Sequence, residues 1–229
     1  MIELLLPPEV VCAERRSDVP DDCLFPEERP AVARAVGSRR SEFATGRACA
    51  RSALAQLGVP PIPLPQGERG APSWPEGVTG SITHCVGYRA AAAARSSQIA
   101  ALGIDAEPDQ PLPEGVLSIV SSPTERDRLD TLPSGIHWDR LLFSAKEAIY
   151  KAWFTLTRCY LDFGEADLAL RLDPGDRLVS GTFLGRLLVP GPVLHGQTVK
   201  EFRGTWRADS DLLLTAVVVR RPAAHGTPP

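Results

Sequence analysis

Asp105 and Glu107 stand two residues apart in the run Gly103-Ile104-Asp105-Ala106-Glu107-Pro108, and on an extended strand that spacing sends both carboxylates to one side. Two carboxylates on one face make half of an oxygen-rich site for a hard cation. Mg2+ binds one or two protein carboxylates and leaves its remaining positions to water and phosphate oxygens. Taken alone, the same pair also describes a polar strand end running into a proline loop, because so short a pattern recurs by chance. Glu147 and Lys151 lie four residues apart, with Ser144 and Lys146 nearby and tryptophans at Trp138 and Trp153. On an exposed helix face such a pair is a structural ion pair worth about 0.2–0.5 kcal/mol. In a site, Glu147 would complete a metal shell or accept a nucleophile's proton, and Lys151 would offset charge on a departing phosphate.

Arg40, Arg47 and Arg51 fall on one helical stripe with Arg39 beside it, and Arg69 lies in the glycine-rich turn Gln66-Gly67-Glu68-Arg69-Gly70. A charge stripe is often only a solvated face, but planar guanidinium groups also suit bidentate contact with phosphate. Ser81, Thr83 and His84, in Ser81-Ile82-Thr83-His84, offer two hydroxyls and an imidazole that could reach a phosphate or simply be hydrogen-bonded in a core.

The elements that must carry these groups are legible in outline. Residues 38–57 have helical spacing through Phe43, Ala50, Leu54 and Leu57, and Gly58 is placed to end that helix. Residues 80–86, 88–94 and 99–105 read as short strands, the middle one weak on propensity because of its alanine run. Ser122-Pro123-Thr124-Glu125 is a capping-box pattern for a short helix ending near Leu129. A stronger helix follows, its apolar positions from Trp138 through Leu141, Leu142, Ala145, Ala148, Ile149, Ala152 and Trp153 to Leu156 recurring at i, i+3 and i+4. Strands are expected at 166–172, 178–188, 199–206 and 212–219. Proline and glycine mark connectors at 59–75 and 108–115 and a tail at 222–229. Helix then strands, a connector, and helix then strands again point to an α+β protein of two similar lobes, 1–112 and 113–229, with a ligand cleft between them.

With 229 residues, 43% hydrophobic and 23% charged, the composition is that of a globular protein with a real core. A net charge of -3 argues against a general nucleic-acid binder. Residues 1–11 contain Leu4, Leu5 and Leu6, but Glu3 and Pro7 interrupt them, so neither a secretory signal nor a membrane anchor is expected and the location is read as cytoplasmic. The five cysteines form no CxxC pair and are read as reduced, mostly buried thiols, and the four scattered histidines lack zinc spacing. Any metal should therefore be held by oxygen.

Together, four segments resemble the Sfp/EntD-type phosphopantetheinyl transferases, most of all the enterobactin-type branch. They are Arg39-Arg40-Ser41-Glu42-Phe43 with Gly46-Arg47-Ala48-Cys49-Ala50-Arg51, Trp74-Pro75 leading to Gly80-Ser81-Ile82-Thr83-His84-Cys85, Gly103-Ile104-Asp105-Ala106-Glu107, and Phe143-Ser144-Ala145-Lys146-Glu147-Ala148-Ile149-Tyr150-Lys151-Ala152-Trp153. The resemblance implies two α+β lobes related by a pseudo-two-fold, with coenzyme A and Mg2+ in the cleft between them. It implies Asp105, Glu107 and Glu147 as metal-associated carboxylates. Arg39, Arg47, Arg69, Ser81, Thr83 and His84 are the implied coenzyme A contacts, with Asp105, Lys146 and Lys151 near the pyrophosphate. The implied reaction moves 4'-phosphopantetheine from coenzyme A to a serine of an acyl or peptidyl carrier protein and releases adenosine 3',5'-bisphosphate. Glu147 would be the general base and Lys151 its catalytic companion. Carriers of siderophore, polyketide or nonribosomal peptide synthesis are the expected partners, received near 115–122 and 153–158, by an enzyme acting as a monomer. The alternatives are a module that binds coenzyme A or a carrier without transfer, and a different Mg2+-dependent phosphotransferase or nuclease.

Overall fold

The structure is a computed structural model that describes residues 1–173 and 179–222. After a short 3-10 turn, strand β1 (Val10–Arg15) opens a three-stranded antiparallel sheet of order β1-β3-β2, completed by β2 (Val78–Cys85) and β3 (Tyr88–Arg95). Helix α1 (Gly37–Gln56) packs on that sheet and ends as expected, with Gly58 in the left-handed region at φ 74. Strand β1 was not foreseen: its burial is graded rather than alternating, so no period of two marks it.

The alanine run makes physical sense in β3. Ala91 and Ala93 pack with Cys49, Ala50, Ala53 and Leu54 of α1. Ala90, Ala92 and Ala94 face the opposite way, toward a second core. The strand is central and covered on both faces, so small side chains that let a helix and another layer approach outweigh a modest β propensity.

A five-stranded antiparallel sheet of order β4-β10-β9-β6-β5 follows, built from β4 (Ile99–Pro108), β5 (Ala166–Leu172), β6 (Ser180–Leu187), β9 (Glu201–Asp209) and β10 (Leu212–Arg220). A two-stranded hairpin of β7 (Val193–Leu194) and β8 (Gln197–Thr198) makes the third sheet among the described residues. The expected strand 178–188 begins at Ser180, Leu178 lying outside the described residues, as does most of the expected tail. Strand β9 begins two residues later than expected and runs on until a left-handed Ser210 turns the chain into β10.

Strands β4 and β10 separate two cores. Leu102, Ile104 and Ala106 with Leu212, Leu214 and Ala216 join β3 and Ile2 in one. Ala101 with Leu213 and Val217 join Leu141, Leu142, Ala145, Ala148 and Ile149 of helix α4 (Trp138–Thr157) in the other. Before α4 come two short helices, α2 (Val116–Val120), which was not anticipated, and α3 (Pro123–Leu129). The expected capping box forms at α3: Glu125 N donates to Ser122 Oγ at 3.1 Å, and Ser122 N to Glu125 Oε2 at 2.8 Å.

The expectation of mostly buried thiols is corrected. All five cysteines are free, but only Cys49 is buried, while Cys23 in a 3-10 turn and Cys159 just beyond α4 are exposed. Among the described residues no helix is long and apolar enough to cross a membrane.

Candidate active site

From Ala101 onward the odd-numbered residues of β4 face α4, so Asp105 and Glu107 point together at that helix as their spacing requires. Gly103 brings the two elements into contact: a Cβ there would collide with the carbonyl oxygen of Ala148. On α4, Arg140, Ser144, Glu147 and Lys151 stand at i, i+4, i+7 and i+11 and form one polar stripe along the helix. The stripe meets β4. Lys151 Nζ donates to Asp105 Oδ1 at 2.7 Å and to Ile104 O at 2.9 Å. Ser144 Oγ donates to Asp105 Oδ2 at 2.8 Å and lies 2.9 Å from Thr215 Oγ1 of β10, the register partner of Asp105. Arg140 Nη1 donates to Glu107 Oε2 at 2.9 Å.

Glu147 is the exception on this stripe. It has no hydrogen-bond or ion-pair partner among the described residues, yet it lines the same cavity as Asp105 and Glu107. Burial and the Asp105 charge push its pKa up, against the pull of Lys151. Glu107 is raised to about 7, chiefly by burial and then by Asp105, with Arg140 opposing. Two acids crowded toward neutrality are poised to take a proton or a cation.

The cavity has a volume of about 1020 Å³. Its walls come from α1, the 66–74 segment, β2, β4 and α4. Arg39 Nη1 lies 2.6 Å from His84 Nε2 and 3.2 Å from Glu42 Oε2. Partial desolvation in the cavity and the Arg39 charge depress the pKa of His84 and favour its neutral form, which accepts from the guanidinium. Arg69 adopts a left-handed φ of 51 and places its guanidinium carbon 5.3 Å from the centroid of the Tyr160 ring.

Ser81 and Thr83 line the cavity, but their hydroxyls are engaged. Ser81 Oγ accepts from Ile104 N and Thr83 Oγ1 from Ala106 N, both at 3.0 Å, and Thr83 donates to Asp105 Oδ1 at 3.1 Å. They stitch β2 to β4 where no backbone ladder joins them.

Two expected contacts are not brought into the cavity lining. Arg47 is buried over the Phe43 ring with Nε donating to Leu64 O at 2.7 Å, and burial lowers its pKa to about 10. Lys146 is buried too, its Nζ donating to Glu125 Oε2 at 2.9 Å and Phe163 O at 2.8 Å. The next residue along, Glu147, is turned about 100° around the helix by its 3.6-residue period, so adjacent residues on α4 serve different surroundings. Of the other arginines of the α1 stripe, Arg51 pairs with the fully buried Glu28 at 2.7 Å and Arg40 with Asp21 at 3.3 Å. Arg140 and Thr215 went unnoticed in the sequence. Arg140 could have been found from its place on the polar stripe; Thr215 could not, since only sheet register sets it opposite Asp105.

Asp105 and Glu107 from β4 and Glu147 from α4 all line the cavity. Among the described residues no three acid, thiol or imidazole side chains converge into a ready cage.

Comparisons with known proteins agree in kind. A family model described as "4'-phosphopantetheinyl transferase N-terminal domain" matches residues 27–94, and one described as "4'-phosphopantetheinyl transferase superfamily" matches 101–188. The chain is 55% identical to the 4'-phosphopantetheinyl transferase Svp of Streptomyces mobaraensis over 97% of its own length and 91% of that protein. It is 47% identical to the transferase PptT of Mycobacterium tuberculosis, covering 92% of each chain. Likeness to enterobactin synthase component D of Salmonella typhimurium, at 37%, spans 50% of this chain and 48% of the other.

Proposed function

Because the chain belongs to the 4'-phosphopantetheinyl transferase superfamily and is an enzyme that transfers phosphopantetheine to carrier proteins, we propose that it takes the group from coenzyme A, with Mg2+, in the cavity beside α4. The carrying observation is Glu147, a carboxylate without a hydrogen-bond or ion-pair partner among the described residues, lining the same cavity as Asp105 and Glu107. Arg39, Arg69 and His84 stand around the same space as ligands for the phosphates of coenzyme A. Asp105, Glu107 and Glu147 are the residues that would hold Mg2+, whose charge would neutralise the pyrophosphate as it is attacked.

The carrier serine hydroxyl attacks the β-phosphorus while the bond from that phosphorus to the bridging oxygen breaks, and adenosine 3',5'-bisphosphate departs. Glu147 accepts the serine proton. Lys151, within reach of Asp105 and facing the cavity, offsets charge on the leaving phosphate. Positioning and charge neutralisation carry such a displacement, so no covalent enzyme intermediate is needed. On this reading Arg47 and Lys146 support the site from beneath, a role to which their buried bonds to Leu64 O and Glu125 lend weight. Ser81 and Thr83 are assigned the seam between β2 and β4.

Two lobes related by a pseudo-two-fold, divided near 112/113, account for the repeated order of helix and strands. On this reading β4 is the element they share, lying before the division yet pairing with β10 after it. Exposed Ile119 on α2 and the basic end of α4 at Arg158 are the face offered to an acidic carrier helix. Siderophore, polyketide and nonribosomal peptide carriers are the proposed partners, and a cytoplasmic monomer the proposed form.

The test is intact-protein mass spectrometry of an apo carrier incubated with the enzyme, coenzyme A and Mg2+. A gain of one phosphopantetheine is expected, lost with EDTA and slowed about 10²–10⁴-fold by Glu147→Gln, the usual weight of a general base. Turnover by Glu147→Gln at the parent rate would remove Glu147 from that role.

A further inference from the structure

Arg140 belongs to the polar stripe of α4 but has no part in the reaction described above. All three of its guanidinium nitrogens are committed: Nη1 to Glu107 Oε2 at 2.9 Å, Nε to Gln110 O at 3.2 Å and Nη2 to Pro111 O at 2.8 Å. Both partners of the ion pair are only 17% exposed. The same stretch of chain is fastened to the start of α4 by His137 N and Nδ1 on Asp109 Oδ1 at 3.1 and 2.8 Å, and by Leu112 N on Asp139 Oδ2 at 2.7 Å.

Glu107 has no other hydrogen-bond donor among the described residues, so one carboxylate oxygen is anchored while the other is left unbonded on a residue lining the cavity. A glutamate at the end of a strand, entering a proline loop, is otherwise free to sample many rotamers. A guanidinium that grips the Glu107 side chain together with the carbonyls of Gln110 and Pro111 ties the carboxylate to the loop that follows its strand. A lysine could make the ion pair but not the fork.

We propose that Arg140 is a positioning residue for the metal-binding carboxylate Glu107, holding it by one oxygen so that the other meets the cation. The inference rests on the Mg2+ reading above. Partners that orient a metal ligand in this way change metal affinity by about 10–100-fold when removed. An opposite outcome is also physically possible: were Arg140 merely a competing positive charge, its removal would tighten cation binding.

The experiment is titration of the full chain with Mn2+, read by electron paramagnetic resonance, with and without coenzyme A, for the parent, Arg140→Gln, Arg140→Lys and Glu107→Gln. Near-ultraviolet circular dichroism and thermal midpoints establish that each variant is folded. Arg140→Gln is expected to weaken Mn2+ binding about 10–100-fold, with Arg140→Lys between it and the parent. In the transfer assay Arg140→Gln is expected to raise the KM for Mg2+ and to recover kcat at saturating Mg2+. Affinity equal to or tighter than the parent's in Arg140→Gln, while Glu107→Gln is weakened, overturns the inference alone. Unchanged affinity in Glu107→Gln overturns the metal reading and the inference with it. If Arg140→Gln does not fold, Arg140→Lys decides, and an unchanged Mn2+ affinity in that variant overturns the inference.

Discussion

Among single residues, Glu107 gives the first prediction. Its carboxyl is raised from 4.5 to about 7, first by burial and then by the charge of Asp105. Between those values the folded protein holds a proton that the unfolded chain has released. The stability this group contributes is therefore whole below pH 4.5 and is lost as pH rises through about 7. Thermal midpoints of the metal-free parent should fall across that window relative to Glu107→Gln, and Mg2+ should restore stability at its upper end. Lys146 makes a second prediction at this scale. Its partner Glu125 also accepts from Leu168 N and Ser122 N, so removing the ammonium strands a buried carboxylate. Lys146→Met is expected to cost about 3–5 kcal/mol in denaturant unfolding. The KM for coenzyme A of the remaining folded protein should not change, whereas a direct phosphate ligand would raise it.

Among the elements, the contact of β4 with α4 sets the distances of Lys151 and Ser144 from Asp105 and of Arg140 from Glu107. Gly103 lies against α4, and a methyl there meets helix backbone rather than a side chain able to turn aside. Gly103→Ala should cost about 1–3 kcal/mol or more. Transfer activity should fall further than unfolding alone explains, because Glu147 and Lys151 move away from Asp105 together. Assaying activity at temperatures where the variant is fully folded separates the two effects. Helix α4 was readable because a buried helix with one polar stripe has a strong period. Strand β1 and the hairpin of β7 and β8 were not, since short or unevenly buried strands leave no period to count.

Across the whole molecule, the three-stranded and five-stranded sheets meet at β2 and β4 through two hydroxyls, Ser81 and Thr83, accepting from the backbone of β4. Thr83→Val keeps the shape but leaves Ala106 N–H without an acceptor and takes one donor from Asp105, which keeps Lys151 and Ser144. It should destabilise by about 1–3 kcal/mol, the cost of a buried unsatisfied group. Hydrogen exchange should quicken along β4 while the middle of α1 is unaffected. Uniform loss of protection in both would mean that the seam is not a separate unit.

The sequence by itself determined the chemistry and the main elements. A two-residue period put Asp105 and Glu107 on one face, a helical period built α4, and four ordered segments carried the family likeness, all properties of local spacing. Only the tertiary structure decided which charges face the cavity. Lys146 and Glu147 are neighbours in sequence but turn to different surroundings, and Arg47 sits on a stripe of arginines yet is buried against Leu64. Arg140 finds Glu107, and Thr215 finds Ser144 and Asp105, across separations that no local period encodes. The reason is that a side chain's direction follows from its own element, whereas its partner follows from the packing of one element on another.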